Sequence, residues 1–190
     1  MKLILFLKTE TTGLPPRKKL TKKNSEKWPH LVALHYKIGH YDKLSNKINI
    51  INKGYYIVKP DNYEIPKISI KFHNITNEIA NNKGYDLKKV LNKFFNDIND
   101  VKFIVGHNIP FDLNIIKSEI LRNDLDHDLD DKNIIDIMNF NHDYEFPKLE
   151  YLFEKLHGHK FKKSHPRKSN INIIIKCFEK LYNNRVISKN

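Results

Sequence analysis

The chain has 190 residues and a formal charge of +12, from 34 basic against 22 acidic side chains; 39% of its residues are hydrophobic and 11% aromatic. That length suits a single domain over residues 1–190 with a substantial core, and the mean hydropathy of −0.60 reflects a surface dense in Lys and Asn rather than disorder. The charge imbalance favours a polyanionic partner, nucleic acid ahead of an anionic membrane surface, and the single cysteine, Cys177, excludes an intramolecular disulfide and points to a reducing, intracellular setting.

Residues 2–8 read as a short buried strand, because the apolar run from Leu3 to Leu7 is shorter than the core of about 7–15 residues that a secretion signal needs. Gly13-Leu14-Pro15-Pro16 ends it in a turn. A basic loop follows, with Arg17, Lys18, Lys19, Lys22 and Lys23. Residues 31–38 and 48–58 read as two strands, expected as antiparallel neighbours of the first.

From Asp86 the pattern turns helical. Leu87, Val90, Leu91, Phe94, Phe95 and Ile98 recur at helical spacing behind an aspartate suited to cap them. Residues 102–106 read as a second short buried strand, and 110–122 as a helix with Ile115, Ile116 and Ile120 inward. Residues 123–132 are a polar, acidic loop, and 133–138 a further strand. Pro147 suits the first turn of a helix carrying Leu149, Leu152, Phe153 and Leu156, which Gly158 stops. Ile171, Ile174, Ile175, Phe178, Leu181 and Tyr182 make a last helix, in which Cys177 reads as a core thiol. No run approaches the roughly 20 apolar residues of a membrane span. Strands alternating with helices imply an α/β layered domain.

Three segments carry chemistry. The first is Lys8-x-Glu10 at the end of the first strand, followed by Thr11-Thr12-Gly13-Leu14. The second is Gly106-His107-Asn108-Ile109-Pro110-Phe111-Asp112 at a strand-to-helix junction. The third is His165-x-x-x-x-Asn170, entering the last helix. Trp28-Pro29-His30, Pro60 with His73-Asn74-Ile75-Thr76, and Pro147-Lys148-Leu149 with Leu156-His157-Gly158 lie between them in matching order.

This ordered set resembles the DEDDh 3′–5′ exonucleases, the superfamily of the proofreading subunit of bacterial replicative DNA polymerase. The resemblance implies a ribonuclease-H-like three-layer α/β fold, a mixed five-stranded sheet flanked by helices. It also implies two-metal phosphodiester hydrolysis, in which four carboxylates hold two divalent ions and a histidine acts as general base. Glu10 and Asp112 match family carboxylates, and His165 matches the general base. Lys8 and Asn170 stand where the family has metal-ligand aspartates, and Arg167 replaces a small residue in the third motif.

The exchanges change the site's charge. Glu10, Asp112 and Lys8 together carry −1 where the intact site carries −4. A charge pair at about 4 Å is worth roughly 1 kcal/mol in water and roughly 4 kcal/mol at an effective dielectric near 20, so the loss weakens divalent-ion binding by orders of magnitude. The sequence therefore leads to a pseudo-exonuclease, with Mg²⁺ or Mn²⁺ as cofactor if any metal is retained and none otherwise. A working exonuclease on single-stranded DNA or RNA ends, and a structural subunit of a nucleic-acid-processing assembly with a protein partner, are the alternatives. Thr11, Thr12, Leu14, Asn108 and Phe111 are the candidates for holding a terminal nucleotide. Lys18 and Lys19, and Lys160, Lys162, Lys163, Arg167 and Lys168, belong to two basic loops expected at the mouth of the cleft, where they would neutralise phosphates. The acidic run 124–131 lacks the turn glycine and final glutamate of a calcium loop, and His157 and His159 lack further zinc ligands nearby.

Overall fold

The computed structural model describes residues 2–140, 148–161, 171–184 and 186–187. In chain order its elements are β1 (Leu3–Thr11), β2 (Leu31–Asp42), β3 (Lys47–Ile57), α1 (Lys67–His73), α2 (Asn77–Lys83), α3 (Leu87–Asp97), β4 (Val101–Gly106), α4 (Ile109–Arg122), β5 (Asn133–Asp136), α5 (Leu149–His157) and α6 (Ile171–Asn183). Short 3-10 helices cover Lys22–Lys27, inside the basic loop, and Ile137–Phe140, where the sequence pattern extends the fifth strand.

β1 lies in the middle of the sheet and is buried on both faces. Leu5 and Leu7 enter one core while Ile4 and Phe6 enter the other, the alternation a central strand requires. β1 pairs antiparallel with β2 and parallel with β4, β2 pairs antiparallel with β3, and β4 pairs parallel with β5. The strand order is therefore β3-β2-β1-β4-β5. The expectation that both 31–38 and 48–58 flank the first strand is corrected: only β2 does. A four-residue turn at 43–46, with Asn46 in the left-handed region (φ 56°), folds β3 back onto the strand it follows and leaves it at the sheet edge.

Helices cover both faces, giving three layers. α3 and α4 pack on the Leu5/Leu7 side through Val90, Leu91, Phe94, Ile115 and Ile116. α5 and α6 pack on the Ile4/Phe6 side through Leu152, Phe153, Ile174 and Phe178. Asp86 caps α3 by accepting the Lys89 N–H at 2.9 Å, and Gly158 ends α5 with φ 73°. Cys177 is fully buried in the second core, where burial pushes its thiol up to about 12, as a packed core thiol requires.

α1 and α2 are absent from the sequence pattern. Each is seven residues long, too short for a helical period to emerge. Their boundaries are nonetheless coded: Thr76 caps α2 by accepting the Ile79 N–H at 3.1 Å, and Asn74 closes α1 in the left-handed region. Among the described residues no helix is long and apolar enough to cross a membrane.

Candidate active site

The site forms where the parallel strands β1 and β4 end, the usual position of a crevice in such sheets. Lys8 and Glu10 share the side of β1 that Phe6 occupies further down. β4 ends at Gly106, where a Cβ would come within 2.6 Å of the Ile109 side chain, so only glycine lets the chain fold back this tightly. Asn108 makes the turn in the left-handed region (φ 57°, ψ 44°). At the end of β5 the Asp136 carboxylate holds that turn, accepting the Asn108 N–H at 2.8 Å and the Met138 N–H at 3.0 Å. This placement brings Asp112, in the first turn of α4, against β1.

Asp112 is completely buried. Its Oδ1 accepts the Thr9 backbone N–H at 2.7 Å, the Thr9 hydroxyl at 2.6 Å and the Lys8 ammonium at 3.4 Å. Its Oδ2 has no hydrogen-bond partner among the described residues. A buried carboxylate is tolerated only with such pairing, and the N-terminal end of α4 adds a favourable dipole.

The Lys8 side chain is 29% exposed, and its Nζ lies 5.9 Å from the centre of the Phe111 ring. Burial disfavours its charged form, but the carboxylates of Asp112 and Glu10 outweigh that and hold its pKa above the ordinary lysine value. Lys8 is thus an ammonium at neutral pH. Burial, with the charge of Asp112 adding to it and that of Lys8 opposing it, raises the Glu10 carboxyl above the usual glutamate value.

These groups floor a cleft of about 570 Å³ whose wall is apolar. Leu14, Phe72 and Ile68 line it and are 87%, 79% and 61% exposed, and Thr11, Ser69, His73 and Phe111 complete the lining. Exposed aromatic and aliphatic side chains above a charged floor suit a ligand with a flat apolar ring and an ionic group. The His73 Nδ1 accepts the Ile75 N–H at 3.1 Å, so its proton sits on the buried Nε2. Burial lowers its pKa, against the Thr11 carbonyl, and keeps the ring neutral.

Lys8, Glu10, Thr11, Leu14 and Phe111 line this cleft, with Asp112 beneath it. Thr12 fastens the loop instead: its hydroxyl accepts the His30 N–H at 2.9 Å and its carbonyl accepts the Ser69 hydroxyl at 2.7 Å. Asn108 is exposed at the turn and does not line the cleft. The basic loop is also placed differently from expectation. Lys18 is exposed and away from the cleft lining, and Lys19 lines a separate hollow with Lys117, Asp128 and Asp130. Lys22 bonds to Asp124 and to the Leu121 carbonyl. The acidic loop 123–132 attracts this basic segment more closely than the cleft does.

Lys162, Lys163, His165, Arg167, Lys168 and Asn170 lie outside the described residues, as does Pro147. Among the described residues no group of three or more His, Cys, Asp or Glu side chains is placed to hold a metal ion. His157 stacks on Phe153 at 4.3 Å. The sequence reading missed Thr9, Ile68, Phe72 and Asp136. The spacing of Ile68 and Phe72 behind Pro66 was the available signal for an exposed helical pair; nothing local marked Thr9 or Asp136.

Three comparisons bear on identity. The exonuclease (RNase T) family model matches residues 6–166. No curated protein sequence matches the chain. Among solved structures, Escherichia coli exonuclease I in complex with a dT13 oligonucleotide is similar with a TM-score of 0.73 at 18% identity, over 98% of this chain and 42% of that one. The same enzyme with a 5cy-dA13 oligonucleotide gives 0.70 at 18% identity, over 96% and 41%. The nuclease domain of 3′hExo, a DEDDh family member bound to rAMP, gives 0.72 at 14% identity, over 96% and 92%. The chain thus spans about two fifths of exonuclease I and nearly all of the 3′hExo nuclease domain, and at these identities the likeness speaks for the ribonuclease-H-like fold. With the exonuclease (RNase T) family model matching residues 6–166, most of the sequence, the chain belongs to that exonuclease family.

Proposed function

We propose that the chain is a pseudo-exonuclease, a protein that holds the 3′ end of single-stranded DNA or RNA in the cleft with little or no metal-dependent hydrolysis. The observation that carries this reading is the Lys8 ammonium 3.4 Å from Asp112 Oδ1, at the position where the family has an aspartate. The oligonucleotide and rAMP complexes of the similar structures support a nucleic-acid ligand. In this reading Leu14, Ile68, Phe72 and Phe111 receive the terminal base, Thr11 and Glu10 face its sugar, and the excess positive charge, including Lys18, Lys19, Lys163, Arg167 and Lys168, draws in the strand. The setting is intracellular, and a protein partner in a larger assembly is compatible with it.

The residues present fit a pair of divalent ions poorly. Glu10 and Asp112 supply carboxylate oxygens, but a lysine ammonium shares their space and repels a cation. A second reading, an exonuclease working with one Mg²⁺ or Mn²⁺ ion, is favoured by one observation: Asp112 Oδ2 is buried without a partner among the described residues, and an ion would satisfy it.

Labelled single-stranded DNA and RNA 3′ ends, incubated with Mg²⁺ or Mn²⁺ and with an EDTA control, separate the two. The proposal expects binding without degradation in the unmodified protein, and metal-dependent degradation on changing Lys8→Asp together with Asn170→Asp. Strong degradation by the unmodified protein, abolished by Glu10→Ala, would sink it.

A further inference from the structure

The face of β2 and β3 next to the cleft carries a charge pattern that the fold alone does not require. The β1–β2–β3 registers align Lys8 with His35 and His35 with Tyr55, and one rung further align Phe6 with Lys37 and Lys37 with Lys53. Gly54 lies under the Tyr36 ring on the opposite face, so Lys53 and Tyr55 share the face of Lys8, His35 and Lys37. A lysine on an edge strand is ordinary, since it discourages pairing with other chains. Lys37 is on an inner strand, half-buried, and directly opposite another lysine, an arrangement that destabilises a sheet. Among the described residues neither lysine has a carboxylate partner: the Lys37 ammonium donates only to the neutral side-chain amide oxygen of Asn172 at 2.7 Å. Burial, and then the charge of Lys53, lower the pKa of Lys37. Beside this pair, Tyr55 is 47% exposed and meets the His35 ring edge-on, with ring centres 5.4 Å apart.

We propose that this face, with Lys37 and Lys53 as phosphate contacts and Tyr55 as a stacking platform, is a track for the single strand leading away from a 3′ end held in the cleft. Uncompensated like charges gain a reason if a polyanion covers them, and alternating cations and an exposed ring are what a sequence-tolerant single-strand surface needs. Adjacent strands lie about 4.8 Å apart, so β3 sits roughly 10 Å from β1, where the nucleotides that follow a dinucleotide held in the cleft would cross it. The track rests on the reading of the cleft as a 3′-end site, and on nucleic-acid binding rather than on the loss of hydrolysis.

The test is fluorescence anisotropy of the full chain in EDTA with dT2 and dT10, repeated with rU2 and rU10. Lys53→Glu places an ion pair on Lys37. It is expected to raise the melting temperature while weakening ten-mer binding about tenfold and leaving the dimer unchanged. Changing Lys37→Ala with Lys53→Ala should lower the salt slope of ten-mer binding by about 1.4, the contribution of two single-strand phosphates. Tyr55→Ala should weaken the ten-mer about tenfold and Tyr55→Phe should not. Ten-mer affinity unchanged in Lys53→Glu, or equal weakening at both lengths, overturns the track alone. No binding of either length by the unmodified protein overturns the cleft reading and the track with it.

Discussion

Thr9 holds Asp112 twice, through its backbone N–H at 2.7 Å and its hydroxyl at 2.6 Å, and so ties the end of β1 to the first turn of α4. Thr9→Val keeps the shape but removes the hydroxyl donor from a fully buried carboxylate. It should destabilise the protein by about 1–3 kcal/mol in chemical denaturation, with Thr9→Ser retaining most of the stability. Equal stability of the Val and Ser variants would show that the hydroxyl contributes nothing.

Asp136 does comparable work from the end of β5, on the far side of β4 from Thr9. Asp136→Ala deprives the Asn108 and Met138 N–H groups of their acceptor, and an expected loss of about 1–3 kcal/mol follows, smaller for Asp136→Asn because an amide oxygen still accepts. The same variant should weaken 3′-end binding, because the turn it supports positions α4. Thermal denaturation and anisotropy on one protein batch check both effects.

Glu10 has a pH signature. Its folded-state pKa lies above the ordinary value of 4.5, so the folded protein holds this proton more tightly than the unfolded chain. The associated stability is present below about pH 4.5 and lost as the pH rises through the folded-state pKa. Glu10→Gln should therefore melt higher than the unmodified protein at pH 7, with the difference shrinking as the pH falls below that range. A difference that stays constant with pH removes Glu10 titration as its cause.

The cleft wall gives a prediction of the opposite kind. Phe72 is 79% exposed, so Phe72→Ala should change stability by no more than about 0.5 kcal/mol. If it stacks on the terminal base, the same change should lower affinity for a single-stranded 3′ end by about 1–3 kcal/mol. Isothermal titration with a short oligonucleotide measures this, and unchanged affinity would remove Phe72 from the site.

His35 offers a probe that needs no ligand. Burial, aided by the Lys37 charge, pushes its pKa down to about 4, so its ring protons should titrate there by NMR, well below an ordinary histidine near 6.5. Lys37→Ala should move the midpoint upward.

The long elements were legible because their side chains repeat. α3, α4 and α6 each show more than one helical period of apolar residues, and β1 opens on an unbroken apolar run, Leu3 to Leu7, whose two-sided burial the sheet explains. The cleft's floor was legible because Lys8, Glu10 and Asp112 sit in spaced motifs. Its wall was not, because Ile68 and Phe72 belong to a two-turn helix in a segment rich in Asn and Lys, and they stay exposed after folding. Thr9 and Asp136 were hidden for a different reason. Each grips a residue distant in sequence, Asp112 for Thr9 and Asn108 for Asp136, and a threonine in a strand or an aspartate at its end looks the same whether it grips a partner or faces water. The side-by-side placement of Lys37 and Lys53 depends on register, which a bulge between Ile38 and Gly39 shifts. No spacing rule applied to one strand would have revealed it.

An ion bound from solution comes and goes with its supply, whereas the ammonium of Lys8 is attached to the strand that ends beside Asp112 and Glu10. Its effective concentration there is fixed by the chain, like that of any tethered group. Chelators have nothing to extract from it, and cellular swings in magnesium or manganese leave it in place. Its proton is held above the ordinary lysine value, so physiological acidity does not alter it either. The positive charge at the centre of this cleft is therefore set when the polypeptide is synthesised and needs no supply of divalent ions to persist.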